Sequence, residues 1–229
     1  HTGNTTIDLN KSLIIGDGSN LGSITGNIIN YGSLTFNRSD DSSYAGIISG
    51  SGTLTKLGDG LHTLTGLNSY TGATTITAGK LILERDIPAT SSTSFSGSGH
   101  LVIQPSSNSF TNAITYPIAG FNIASTVGGL TIGKPSNTSN ITFGSATTIA
   151  GPITAYGGDI ALNQDITSTA SNAKILVKAS GQINTIGSRT FQTNNGDFVL
   201  WSDSDNNNEG RIWLGLNNII NTANGSTIS

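Results

Sequence analysis

Three oxygen-bearing side chains at alternate positions, Asp203, Asp205 and Asn207, open the stretch Asp203-Ser204-Asp205-Asn206-Asn207-Asn208-Glu209-Gly210. Hard oxygen donors spaced in this way begin calcium loops, and Ca²⁺ takes six to eight such ligands. Asn208 stands where such a loop needs glycine, and Leu214 where it needs a bidentate glutamate, so a polar turn between strands is the competing reading. Trp201 and Trp213, the two tryptophans of the chain, flank this stretch. In Arg211-Ile212-Trp213-Leu214, alternation is expected to turn Ile212 and Leu214 inward and Trp213 outward. Trp201 follows an inward Leu200 and has the same outward parity. Leu176, Val199 and Trp213 are expected to form an apolar stripe on the outer surface. Outward aromatics suit the faces of sugar rings or a protein partner. Cover by a loop or a neighbouring module is the alternative.

Catalytic groupings are sparse. The 13 carboxylates are dispersed, and adjacent Asp40 and Asp41 point to opposite sides of an extended chain, which suits an acid–base pair poorly. His62 and His100 sit among Thr, Leu and Gly with no carboxylate beside them, and neither a nucleophile elbow nor an H-E-x-x-H motif occurs. The expectation is that the chain is not an enzyme and carries no cofactor, Ca²⁺ excepted. A polysaccharide-active β-helix enzyme is the distant alternative. Asn4-Thr5-Thr6, Asn37-Arg38-Ser39, Asn137-Thr138-Ser139, Asn140-Ile141-Thr142 and Asn224-Gly225-Ser226 fit the N-glycosylation triplet. In a chain this rich in Asn, Ser and Thr they arise from composition alone.

The elements that must position these residues are short strands. Apolar–x–apolar triplets recur from end to end, among them Ile7-Asp8-Leu9, Leu34-Thr35-Phe36, Leu81-Ile82-Leu83, Leu101-Val102-Ile103 and Ile141-Thr142-Phe143. Each places its outer two residues on one face, as a half-buried strand does, and Gly, Asn, Asp and Ser fill the intervals as turn residues. No stretch shows a helical period. Strands so short suit stacked coils, and the architecture expected is all-β, a right-handed parallel β-helix of roughly ten coils of about 19 to 24 residues, a rod about 50 Å long. Asp159-Ile160-Ala161-Leu162 and Asp197-Phe198-Val199-Leu200 lie 38 residues apart, and Lys174-Ile175-Leu176-Val177 and Arg211-Ile212-Trp213-Leu214 lie 37 apart. This quasi-repeat reads as two coils of about 19, or one long coil. A low-charge β-sandwich is the alternative fold.

The composition fits stacking. About half of the 229 residues are Ser, Thr, Asn or Gly, only 10% are charged, and Cys and Met are absent. Stacked coils set like positions about 5 Å apart, where repeated charges repel and repeated Asn, Thr and Ser hydrogen-bond. Absence of Cys excludes disulfide scaffolds and thiolate metal sites. A net charge of −3 and a pI of 5.4 disfavour nucleic-acid binding, and no apolar run is long enough for a membrane helix. The chain begins at His1 with no signal-peptide pattern, and both ends read as cuts through a continuing pattern.

One stretch is specific enough to compare. Gly46-Ile47-Ile48-Ser49-Gly50-Ser51-Gly52-Thr53-Leu54-Thr55-Lys56-Leu57-Gly58-Asp59-Gly60 continues through Leu64-Thr65-Gly66 and Asn68-Ser69-Tyr70-Thr71-Gly72-Ala73-Thr74 to Gly79-Lys80-Leu81-Ile82-Leu83. Residues 46–83 resemble the autotransporter-associated β-strand repeat of secreted bacterial passenger domains. His62 departs from that pattern, which places a large apolar residue there. Within the repeat, Tyr70 is expected to pack over a corner glycine with its hydroxyl in water, and Lys56 to be solvated or bonded to carbonyls. Residues 150–229 more loosely resemble the shafts of filamentous-haemagglutinin-like adhesins, through Gly157-Gly158-Asp159-Ile160 and Asn195-Gly196-Asp197-Phe198-Val199-Leu200-Trp201.

These resemblances imply a piece of a large secreted or surface-attached bacterial protein that crosses an outer membrane through a β-barrel pore. They also suggest why Cys is absent, since a disulfide would hinder threading. Residues 1–229 are expected to form one β-helix fragment, with a departure from the coils near residues 85–125, where Pro88, Pro105 and Pro117 fall. The role implied is a structural stalk or adhesion module at the cell surface, a glycan- or protein-binding module being the alternative. Expected partners are other modules of the same polypeptide and a cell-surface glycan or protein. Nucleic acid and direct membrane insertion are not expected.

Overall fold

Strand after strand of this chain is two to six residues ending in a turn, most with alternating burial, and the turns return each strand beside the one a coil earlier. In the computed structural model, residues 3–84, 92–206 and 209–222 are described, and among them there are 26 strands and no helix. All pairings are parallel, and the coils stack into a β-solenoid of about nine turns, close to the number expected.

The coil has three faces. The long face is an unbroken ladder of eight strands, from Ser42–Tyr44 at one end to Phe198–Trp201 at the other. The second face carries six strands from Ser12–Ile15 to Phe121–Ile123, then a separate set of four from Thr147–Ile149 to Ile219–Asn221. The third carries three, from Thr5–Ile7 to Ile48–Ser49, and later five, from Ile114–Tyr116 to Ile212–Trp213.

Register sets the core. On the long face His62, Leu81, Leu101, Leu130, Ile153, Ile175 and Phe198 form one inward column, and Leu64, Leu83, Ile103, Ile132, Ala155 and Val177 form the next. All are buried, and all but His62 belong to one apolar cluster that runs the length of the rod. Removing a Leu or Ile side chain from water is worth about 1.5–3 kcal/mol, so the column is the main source of stability.

The corners explain the abundance of Asn and Asp. A side-chain oxygen of one coil accepts a backbone N–H of the neighbouring coil, so the ladder continues where the main chain turns. Asn27 takes Ile47 at 2.9 Å, Asp41 takes Leu61 at 3.1 Å, Asn140 takes Asp159 at 2.8 Å and Asp159 takes Gln182 at 2.8 Å. Asp165 with Thr190 and Asn68 with Ile48 repeat the device. Glycine is required where coils touch at a bend: Gly50 has φ +95°, and a Cβ there would lie 2.2 Å from the carbonyl oxygen of Asn30.

Two expectations about the repeat are corrected. Coil lengths run from 19 residues, as in Ile141 paired with Ile160, to 29, as in Ile103 with Ile132 and Thr190 with Ile219. The long coils carry loops at corners, where extra residues do not disturb the ladders. The 38- and 37-residue quasi-repeat is not a stacking repeat. Ile160 stacks between Ile141 and Ile183 on the third face, whereas Phe198 stacks on Ile175 on the long face. Those four segments share an inward–outward pattern but belong to two faces. Of the segment 85–125, residues 85–91 lie outside the described residues, and from Thr93 onward it contributes strands to the second, long and third faces.

Candidate functional site

The loop between Phe198–Trp201 and Ile212–Trp213 carries the chain from the long face to the third face. The tryptophans that flank it therefore lie on different sides of the rod. Trp213 is 73% exposed and pairs in register with Asn184. Trp201 is 52% exposed and follows Lys178 in register, which follows Tyr156. Both rings face outward, as alternation demands. The expected stripe of Leu176, Val199 and Trp213 does not form. Leu176 and Val199 share an outward column with Thr131 and Thr154 on the long face, and Trp213 stands elsewhere. Ile212, expected to be buried, is 46% exposed because it is stacked only on the Ile183 side among the described residues.

The long face thus presents an outward row of Tyr156, Lys178 and Trp201, a residue type sequence that no linear motif displays because its members lie 22 and 23 positions apart. The Lys178 ammonium sits 3.9 Å from the centre of the Trp201 ring, a cation–π contact that holds the ring against the sheet. A held aromatic ring beside a cation can stack on an apolar sugar face and hydrogen-bond a hydroxyl.

In the loop itself, Asp203 and Asn206 take left-handed conformations, with φ of 55° and 59°, and the Asp203 carbonyl accepts the Asn206 N–H at 3.1 Å. Gly210 closes the loop, since a Cβ there would lie 2.2 Å from the Asp203 nitrogen. Asp205 is exposed, Asp203 is half-buried, and Asn207 lies outside the described residues. Among the described residues no three His, Asp or Glu side chains converge as a metal would need.

The residues passed over as catalytic candidates have structural partners. Arg38 holds Asp40 through Nε and Nη2 at 2.9 and 2.8 Å, while Asp41 bonds Leu61, so the adjacent carboxylates are turned to separate tasks. The Arg38 guanidinium holds the Asp40 carboxyl below the usual range. His100 lies outward over Gly129, whose missing side chain leaves room for the ring, and its Nε2 is 2.8 Å from Thr131 Oγ1. Burial, then the Lys80 charge, pushes His100 down to about 4.

His62 is the residue whose place the sequence only hinted at. It occupies the inward slot where the resembling repeat has an apolar residue, stacks on Phe36 with ring centres 4.0 Å apart, and is 3% exposed. Its Nδ1 is 2.8 Å from Ser42 Oγ. Burial, with help from the Lys56 and Arg38 charges, pushes it down to about 4. Lys56 is not solvated: it is buried in the column of Phe36 and Ile76, and its ammonium donates to the Gly58 and Ala78 carbonyls. The Tyr70 hydroxyl, expected in water, is buried 2.8 Å from Thr74 Oγ1.

Over 112 residues the chain is 39% identical to the Adhesin BmaC autotransporter of Brucella suis biovar 1 (strain 1330). The likeness takes in 48% of this chain and 3% of that protein, so the chain spans a small part of the length of the relative it matches. No family model matches the chain, and no solved structure matches it.

Proposed function

We propose that this chain is a structural segment of a secreted or surface-attached bacterial adhesin, a stiff solenoid that holds adhesive regions away from the cell. The observation that carries the reading is the unbroken long face, eight parallel strands over one continuous core. Each coil supports its neighbours, so such a ladder resists bending along its length. Likeness to an autotransporter adhesin supports the same reading. Residues 46–83 act as one unit of the autotransporter-associated β-strand repeat, and the partners are neighbouring modules of the same polypeptide. The reading has no catalytic step and no nucleic-acid or membrane-inserting surface, and outer-membrane association comes through the parent protein.

A second reading is favoured by the Tyr156–Lys178–Trp201 row: a glycan or protein contact on the long face, with Trp213 as a separate contact on the third. A glycan array and a cell-attachment assay with the purified chain separate the two. A stalk shows no saturable binding and scatters X-rays as a rigid rod. A binding module shows saturable attachment that drops at least tenfold in Trp201→Ala. The calcium reading of Asp203, Asp205 and Asn207 is tested by melting in millimolar CaCl₂, where a rise that Asp203→Asn removes supports it and an unchanged curve ends it.

A further inference from the structure

Tyr156, Lys178 and Trp201 hold one register position in three successive strands of the long face, Tyr156 pairing with Lys178 and Lys178 with Trp201. Neighbouring strands lie about 4.8 Å apart, so the two aromatic residues stand about 10 Å apart along the rod, with a cation midway. Two residues earlier on the same strands, Thr154, Leu176 and Val199 are also in register, point outward and are half-buried. They give the row an uncharged wall, and Lys178 is the one charged residue among the six.

Each member of the row keeps a group free for a ligand. Trp201 is 52% exposed, and the Lys178 ammonium, 3.9 Å from the ring centre, takes up one side of its ring. The Tyr156 hydroxyl and the Lys178 ammonium have no hydrogen-bond or ion-pair partner among the described residues. Aromatic faces stack on the C–H faces of pyranose rings, while a phenol hydroxyl and an ammonium bond sugar oxygens.

The spacing selects the linkage. In an extended β-1,4-linked chain each sugar is turned half a revolution from the last, so the same face returns at every second sugar, a step close to two strand spacings. Three sugars laid along the rod therefore set the first on Tyr156, the second beside Lys178 and the third on Trp201. An α-1,4-linked chain coils, and its alternate sugars do not stay in one straight line. A single cation, itself engaged with an aromatic ring, is too little to select a polyanion, which favours a neutral chain.

We propose that the long face binds a neutral, extended β-1,4-linked sugar chain laid along the rod axis, one sugar per coil, with alternate rings on Tyr156 and Trp201. The site rests on the contact reading of the long face and names its ligand. The test is calorimetry on the full chain with cellotetraose, chitotetraose, their disaccharides and maltotetraose. At least one of the two β-1,4-linked tetrasaccharides is expected to bind saturably, with its disaccharide and maltotetraose at least tenfold weaker. Trp201→Ala is expected to abolish binding. Tyr156→Thr is expected to bring the tetrasaccharide down to the affinity of the disaccharide and leave the disaccharide unchanged, a split that a misfolded variant does not give. Equal affinity for maltotetraose, no gain from disaccharide to tetrasaccharide, or full binding by Tyr156→Thr each overturns the proposal. If neither tetrasaccharide binds, but another glycan or whole cells do and Trp201→Ala loses them, the ligand class falls and the contact reading stands. If nothing binds, both fall.

Discussion

His62 is stacked between Ser42 and Leu81 in a column that continues as leucine, isoleucine and phenylalanine. Its position makes folding pH-dependent in a definite direction. The imidazole titrates near 4 in the folded chain and near 6.5 when unfolded, so as pH falls through that window the unfolded chain takes up a proton that the folded one refuses. Stability is full above about pH 6.5, falls between 6.5 and 4, and levels off below, with about 3 kcal/mol at stake for this one group. Urea denaturation at pH 7.5 and 4.5 should show a smaller acid loss in His62→Phe than in the native chain, and equal losses would refute the assignment. His100 adds to the native slope in the same direction. Asn137 belongs to the same scale. Buried in a corner, it accepts the Phe110 N–H at 3.1 Å and donates to the Tyr156 carbonyl at 2.7 Å, joining three coils. Asn137→Ala should cost about 2–3 kcal/mol in denaturant melts, since it orphans buried backbone groups.

Among the elements, the strands of the long face differ in consequence from the short strands at the third-face corner. Leu101 is fully buried, with Leu81 and Leu130 stacked on either side, so Leu101→Ala should cost about 2–5 kcal/mol. Trp213→Ala, at an exposed position, should change stability by less than about 0.5 kcal/mol, whatever it does to binding. Thermal denaturation of the two variants side by side checks both. Alternation made the strands legible in the sequence, because Leu81-Ile82-Leu83 and its counterparts carry their inward side in their spelling. It also set Trp201 and Trp213 outward correctly. What alternation cannot specify is which of three faces a strand joins, since every face obeys the same period. That is why Ile160 and Phe198 looked equivalent, why Trp213 was grouped with Leu176, and why the Tyr156–Lys178–Trp201 row emerges only once coils are stacked. Tyr70 was placed in water because its hydroxyl partner, Thr74 Oγ1, is a contact that alternation does not display.

At the scale of the whole molecule, stability rests on buried columns and close hydrogen bonds between coils, with few formal charges to screen. The melting temperature should therefore move little between about 0.05 and 0.5 M NaCl, where exposed ion pairs are largely screened. A large shift measured by calorimetry would point to a charge network that the described residues do not contain. The interruptions of the second and third faces have a bearing on strength. Among the described residues the third-face strands stop after Ile48–Ser49 and resume at Ile114–Tyr116, whereas the second-face sheets are parted between Phe121–Ile123 and Thr147–Ile149. The two joints are offset along the axis, as in the courses of a brick wall. The long face crosses both, with a second ladder beside it each time, so a sideways load meets no plane on which the rod could part cleanly.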